Sequence, residues 1–294
     1  MIHRNDPCWC NSGKKWKRCH YPQKASNEQA ALKEEYWRKY QIRLKTPEEI
    51  EGIRKAAKAT ARILKETCAI AKEGVTTNEI DAFAHKLHRE IHARPAPLGY
   101  GDPPFPKCIC TSLNEVICHG IPNDIPLKNG DILNIDTSLE LNGFFGDCSS
   151  MVMIGEVSDE KKHVVAVSKE CLKRSIALLK PGIFVYEIAE VIEDYAKAQK
   201  CSVVNQFVGH GIGLQFHEAP SIPHHYNKIK IPLVQGMTFT IEPMINAGVR
   251  EGKINSKNHW EARTLDGKPS AQFEHQLLIT EDGREILTLI EEDS

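Results

Sequence analysis

No stretch of the sequence approaches the ~18 consecutive apolar residues that a membrane-spanning helix requires. Nor does the N-terminal run Met1-Ile2-His3-Arg4-Asn5-Asp6-Pro7-Cys8 contain the apolar core of a secretory signal. The expectation is a cytoplasmic protein without membrane attachment. An excess of charge of either sign is also missing, since the net charge is −1 at pH 7. With 41% hydrophobic and 26% charged residues, the chain is neither collagen-like nor disordered. At 294 residues it can bury about three quarters of its unfolded surface, so it needs no covalent staples.

What is present is unevenly placed. Residues 1–24 carry six Lys or Arg against Asp6, so a head of net +5 precedes a body of net −6. Ten cysteines are many for a reducing compartment. Metal ligation or core thiols account for them better than a disulfide framework. Three segments follow from composition: a Cys-, Trp- and Lys-rich head over 1–22, a polar linker or single helix over 23–45, and the main body over 46–294.

The body opens on a helix signal. Thr46-Pro47-Glu48-Glu49 offers an N-cap, a proline in the first turn and a capping-box glutamate. Ile50, Ile53, Ala57, Ala61 and Leu64 then recur at helical spacing. Thr76 and Glu79 form a second capping box, and further helices are expected from Ser158 to Lys180-Pro181-Gly182 and over about 185–199. Strand-like runs lie at 108–118, 131–136, 144–154, 203–209, 237–242 and 273–279.

The chain also repeats itself. Lys72-Glu73-Gly74-Val75 with Glu79-Ile80 returns as Lys180-Pro181-Gly182-Ile183 with Glu187-Ile188. His119-Gly120-Ile121 returns as His210-Gly211-Ile212, and the Gly130–Asp136 spacing returns as Gly236–Glu242. Three matches in one order predict two related α+β halves with a site between them.

Acids and histidines concentrate at the matching positions. If Asn142-Gly143 is a two-residue hairpin turn, Asp136 faces Ser149 and Asn134 faces Met151, so Asp147 shares a face with Asp136. On Met237-Thr238-Phe239-Thr240-Ile241-Glu242 the alternation places Glu242 on the polar face. Glu274 enters an apolar strand, which is costly unless the charge is paired or metal-bound. His210 and His217 sit in the glycine-rich run 209–218. One imidazole with four carboxylates suits two divalent cations such as Mn²⁺, Fe²⁺ or Co²⁺, with Zn²⁺ also compatible.

Residues 46–290 resemble a type I methionine aminopeptidase of the pita-bread fold. Five ordered blocks carry the match: Asn114-Glu115-Val116-Ile117-Cys118-His119-Gly120-Ile121-Pro122, Asn134-Ile135-Asp136, Gly146-Asp147, Gly209-His210-Gly211-Ile212-Gly213, and Ile241-Glu242-Pro243 with Gln272-Phe273-Glu274-His275. The resemblance implies that Asp136, Asp147, His210, Glu242 and Glu274 bind two metals, with Asp147 and Glu274 bridging them and Asp136 bidentate on one. It implies a metal-bridging hydroxide that attacks the peptide carbonyl of an N-terminal methionine, ahead of a small second residue, in nascent polypeptides. Glu242 would shuttle the proton, His217 would stabilise the oxyanion, and His119 would contact the scissile nitrogen. The methionine pocket would comprise Tyr100, Phe105, Cys110, Phe216 and Trp260. The 97–106 loop departs from the family pattern, with Pro97 in place of a common Cys, Phe105 in place of a common Tyr, and two extra residues.

The head carries Cys8-Trp9-Cys10, eight intervening residues, then Cys19-His20. Three sulfurs and one imidazole make the donor set of a closed tetrahedral zinc site, whose metal would supply the folding energy. The pattern resembles the SEC-C zinc motif. Lys14, Lys15, Lys17 and Arg18 interleave with Trp9 and Trp16. Such a surface either docks on ribosomal RNA or an acidic protein or is a solubilising face. Cys108 and Cys110 read as strand residues, while Cys68, Cys118, Cys148, Cys171 and Cys201 read as buried thiols. The expected assembly is a monomer.

Overall fold

The structure, a computed structural model, describes Lys15 and residues 23–289, with side chains beyond the head from Glu28 onward. Cys8, Cys10, Cys19 and His20 lie outside the described residues. The chain divides into two units, Met1–Leu44 and Lys45–Ser294. In the first, the helical option for the linker is the one observed: α1 spans Gln23–Tyr40. Tyr36 packs edge-on against Tyr40 at 5.3 Å there, and Lys39 pairs with Glu35 one turn away.

The second unit contains α2 (Pro47–Ile70), α3 (Thr77–Glu90), α4 (Asp159–Leu178) and α5 (Val185–Ala198). The expected caps form. The Thr46 hydroxyl accepts from the Glu49 amide at 3.2 Å, and the Glu49 carboxylate accepts from the Thr46 amide at 2.7 Å. Thr76 and Glu79 repeat this at 3.1 and 2.7 Å. Each such cap contributes about 1 kcal/mol and fixes where its helix starts.

The two halves are related in their hydrogen bonds as well as in sequence. Gly74 N–H donates to Leu127 O at 2.9 Å, and Gly182 N–H to Leu233 O at 2.8 Å. Leu127 N–H returns a bond to Val75 O, as Leu233 N–H does to Ile183 O. Gly130 N–H donates to Ile154 O at 2.8 Å, and Gly236 N–H to Ile279 O at 3.0 Å. The repeated residues therefore close the same turns and start equivalent strands in each half.

In the first half, strand Ile132–Leu141 pairs along its whole length with Phe144–Met153. Asn142 (φ 54°) and Gly143 (φ 83°) make the two-residue turn, with the positive φ values that match strand twist. The register is the expected one, Asp136 opposite Ser149 and Asn134 opposite Met151. Under this hairpin, Ile63 of α2, Ile80 of α3 and Leu133, Ile135 and Leu139 form a buried core. In the second half, a five-stranded sheet runs in the order Arg284–Ile286, His275–Ile279, Thr238–Ile241, Gly209–Gly211, Glu218–Ile222. The halves join at the bridge Ser149↔Glu274 and through the Asn134 amide, which donates to Gln272 O at 2.8 Å.

Three local expectations are corrected. Residues 203–209 are not one strand; only Ser202–Val203 and Gly209–Gly211 pair, because Gln206 turns out to accept from the Gly252 amide at 2.6 Å. The run 108–118 is two short strands, Cys110–Leu113 and Val116–Cys118, with Cys108 before the first. Cys68 is only partly buried, whereas Cys118, Cys148, Cys171 and Cys201 are buried free thiols.

Candidate metal centre

A single row of strand pairing crosses the interior between the halves. Cys110 lies opposite Asp136, Asp136 opposite Ser149, and Ser149 is bridged to Glu274. Asp147, two residues before Ser149, projects to the same face as Asp136. From the second half, Gly209–Gly211 brings His210, and the strand ending at Ile241 brings Glu242. The four acids and one histidine expected to bind metal all line one cavity of about 360 Å³.

Asp147, His210 and Glu274 offer ligand atoms within 4.8 Å of one another. His210 Nε2 faces Asp147 Oδ2 at 3.6 Å and Glu242 Oε1 at 3.7 Å. The other ring nitrogen, Nδ1, hydrogen-bonds Gly211 O at 3.0 Å, which fixes the proton there and leaves the Nε2 lone pair directed at the acids. Burial lowers the His210 pKa to about 3, so the imidazole is neutral at pH 7.

The carboxylates respond in the opposite direction. Burial raises Asp136 to about 7 and Glu242 to about 8. Asp147 and Glu274 are pushed well above the ordinary carboxylate range by burial and then by their acidic neighbours. Neutral donors reach two of these carboxylates. Ser138 donates to Asp147 Oδ1 at 2.8 Å, Thr240 to Glu242 Oε1 at 2.8 Å, and Gln272 to Glu242 Oε2 at 3.1 Å. Four acids, Asp147 and Glu274 among them buried, around one neutral imidazole form a site that divalent cations fit, since hard oxygen donors dominate and the positive charge offsets the repulsion.

The remaining expected residues surround this floor. His217 lies 4.2 Å from the His210 ring and 5.1 Å from Tyr100, centroid to centroid. His119 stands edge-on to Trp260 at 5.9 Å and to Phe207 at 5.3 Å. Desolvation in the cavity lowers both histidines to about 4, hence neutral, although His217 stays open to solvent at one side. Tyr100 meets Phe216 at 5.2 Å and Phe105 meets Trp260 at 5.3 Å. The Trp260 indole also donates to Pro103 O at 2.9 Å, fastening the atypical 97–106 loop over the cavity. Tyr100, Phe105, Cys110, Phe216 and Trp260 are thus brought together as expected. Sequence reading missed Phe207, Met244 and Gln272 on the cavity wall. Only Gln272 carried a signal, as a polar residue two positions before Glu274.

Comparison with known proteins agrees with this geometry. Residues 51–281 match the model of metallopeptidase family M24, and residues 4–22 match the SEC-C motif. A methionine aminopeptidase of Chlamydia muridarum is 61% identical over 290 residues, covering 99% of this chain and 100% of that protein. One from Chlamydia trachomatis is 60% identical over 290 residues, with the same coverage. The crystal structure of methionine aminopeptidase from Rickettsia prowazekii superposes with a TM-score of 0.82 at 42% identity, covering 84% of this chain and 100% of that one. The pita-bread expectation holds, and no helix among the described residues is long and apolar enough to cross a membrane. The chain belongs to metallopeptidase family M24, among its type I-like methionine aminopeptidases, metal-dependent hydrolases that remove the initiator methionine, and it carries an N-terminal SEC-C motif.

Proposed function

We propose that Asp136, Asp147, His210, Glu242 and Glu274 hold two divalent cations, drawn from Co, Mn, Fe or Zn, and that methionine is cleaved from nascent polypeptides against this floor. The observation that carries the reading is that Asp147, Glu242 and Glu274 gather around the unprotonated Nε2 of His210, with Asp136 lining the same cavity. When bound, the cations supply Lewis acidity and an activated water. The Glu242 carboxylate, held by Thr240 and Gln272, takes the proton of the attacking water and returns it to the departing amine. His217, neutral and overhanging the floor, donates an N–H to the oxyanion that develops on the carbonyl oxygen. His119, beside Trp260 and Phe207, donates toward the scissile nitrogen. Tyr100, Phe105, Cys110, Phe216 and Trp260 enclose the thioether side chain.

A small second residue is the proposed requirement on the leaving side. Hydrolysis of Met-Ala-Ser, Met-Lys-Ser and Ala-Pro after addition of Mn²⁺ or Co²⁺ tests both claims. Cleavage of the first alone is expected. Equal cleavage of Met-Lys-Ser removes the size requirement, and preference for Ala-Pro removes the methionine pocket.

For the head, residues 1–22, the proposal is a zinc knuckle ligated by Cys8, Cys10, Cys19 and His20, separate from the catalytic unit. Its basic and aromatic residues would contact ribosomal RNA or an acidic protein in the cytoplasm, with the enzyme itself monomeric. Co-sedimentation with ribosomes at low salt should be lost when residues 1–24 are deleted. Unchanged co-sedimentation refutes the docking role.

A further inference from the structure

We propose that Lys45 and Glu218 form a buried positioning pair that sets the reach of His217 and is required for turnover. The proposal rests on the reading of His217 as the oxyanion donor.

His217 sits in the six-residue connection between strands Gly209–Gly211 and Glu218–Ile222. Its neighbour Glu218 folds back over that connection. Glu218 Oε1 accepts from the Leu214 amide at 2.6 Å and from the Gln215 amide at 2.9 Å. Its other oxygen accepts from the Lys45 ammonium at 2.5 Å. Both side chains are removed from water, at 2% exposure for Lys45 and 10% for Glu218. Lys45 is anchored in turn by its own amide, which donates to Gly236 O at 2.9 Å.

The loop also rests on the lysine stem. Gly213 has φ +144°, and a β-carbon there would stand 2.5 Å from Ile53 Cδ1 and 3.2 Å from Lys45 Cε. From Gly213 the carbonyl accepts from the Phe145 amide at 2.9 Å, in the hairpin strand that carries Asp147. The connection bearing Phe216 and His217 is therefore pinned at its start by Gly213 and across its span by Glu218. A buried carboxylate that loses its cation becomes uncompensated and turns toward solvent. Two loop amides would then lose their acceptor, and the loop its fixed reach. An oxyanion donor loses most of its effect when displaced by ~1 Å, so the consequence falls on kcat rather than on substrate affinity.

The test uses the metal-loaded full chain with Met-Ala-Ser, comparing Lys45→Met, Lys45→Met with Glu218→Gln, His217→Ala, and Lys45→Met with His217→Ala. Lys45→Met should lower kcat by roughly 10-fold or more, with KM within about twofold. Adding Glu218→Gln should recover most of that loss, because the Gln oxygen still accepts from Leu214 and Gln215 without needing a counter-charge. In the His217→Ala background, Lys45→Met should cost less than about twofold further, since the group it positions is gone. If kcat per folded enzyme is unchanged in Lys45→Met, or if its cost persists in full beside His217→Ala, the positioning role is wrong. If His217→Ala itself leaves kcat intact, the oxyanion assignment fails instead, and that outcome is read separately.

Discussion

Ser149 and Glu274, 125 positions apart, form an antiparallel bridge in which the Glu274 amide donates to Ser149 O at 3.1 Å. That bond seats a carboxylate from one half beside Asp136 and Asp147 of the other. The proposed metal centre is therefore a property of the joint between the halves. Replacing Asp147 or Glu274 by Ala should abolish Met-Ala-Ser hydrolysis, by roughly 10³-fold or more, and sharply lower bound metal measured by elemental analysis. Retention of both activity and metal would rule out the dinuclear assignment.

Trp260 should govern how well the methionine side chain is held. Its ring contacts Phe105 and its indole N–H holds Pro103 O. Removing it exposes the pocket and frees the loop, a loss of about 2 kcal/mol in transition-state binding. Trp260→Ala is expected to reduce kcat/KM for Met-Ala-Ser by about 30-fold, with metal content unchanged. A change below threefold would place the side chain elsewhere in the cavity.

Gly120 tests the close backbone approach beside His119, where its carbonyl accepts from the Thr111 amide at 2.8 Å. A β-carbon at Gly120 would fall 2.0 Å from Thr111 O, inside the backbone of the strand Cys110–Leu113. The two backbone segments must part, at a cost of about 3 kcal/mol. Gly120→Ala should lower the melting temperature measurably, by ~2–4 °C per kcal/mol for a protein of this size. An unaltered melting curve would show that this contact yields freely.

Acid sensitivity should trace in part to His88. This residue is fully buried, its Nδ1 donates to Ala84 O at 2.7 Å, and burial lowers its pKa below 6.5. As pH falls through 6.5 the unfolded chain takes up the proton first, so stability is lost below that pH until the folded pKa is reached. The contribution is up to about 1.4 kcal/mol per pH unit. Urea unfolding between pH 5 and 7 should show a shallower pH slope for His88→Gln than for the wild type. Identical slopes would exclude His88 as the source.

Much of the architecture was legible because its signals are local. The Thr46–Glu49 and Thr76–Glu79 boxes, and the Asn142-Gly143 turn, each depend on residues within a few positions of one another. The turn fixed the register, and the register put Asp136 and Asp147 on one face. Short strands such as Met244–Asn246, Ala262–Thr264 and Ser270–Gln272 were not legible. Three residues carry no period, and these segments are extended only because distant partners supply their hydrogen bonds. The kinked course of 203–209 escaped for the same reason, since the Gly252 amide that holds Gln206 is 46 positions away.

By itself the sequence determined the caps, the hairpin, the internal repeat, the ligand types and the family, because each resides in spacing along the chain. Only the tertiary structure decided that the five candidate ligands meet in one cavity, that His210 turns its free nitrogen to the acids, and that Lys45 reaches Glu218. Those outcomes depend on burial and on contacts more than 100 positions apart, where the desolvation of a charge and the partner that offsets it come from different halves of the molecule.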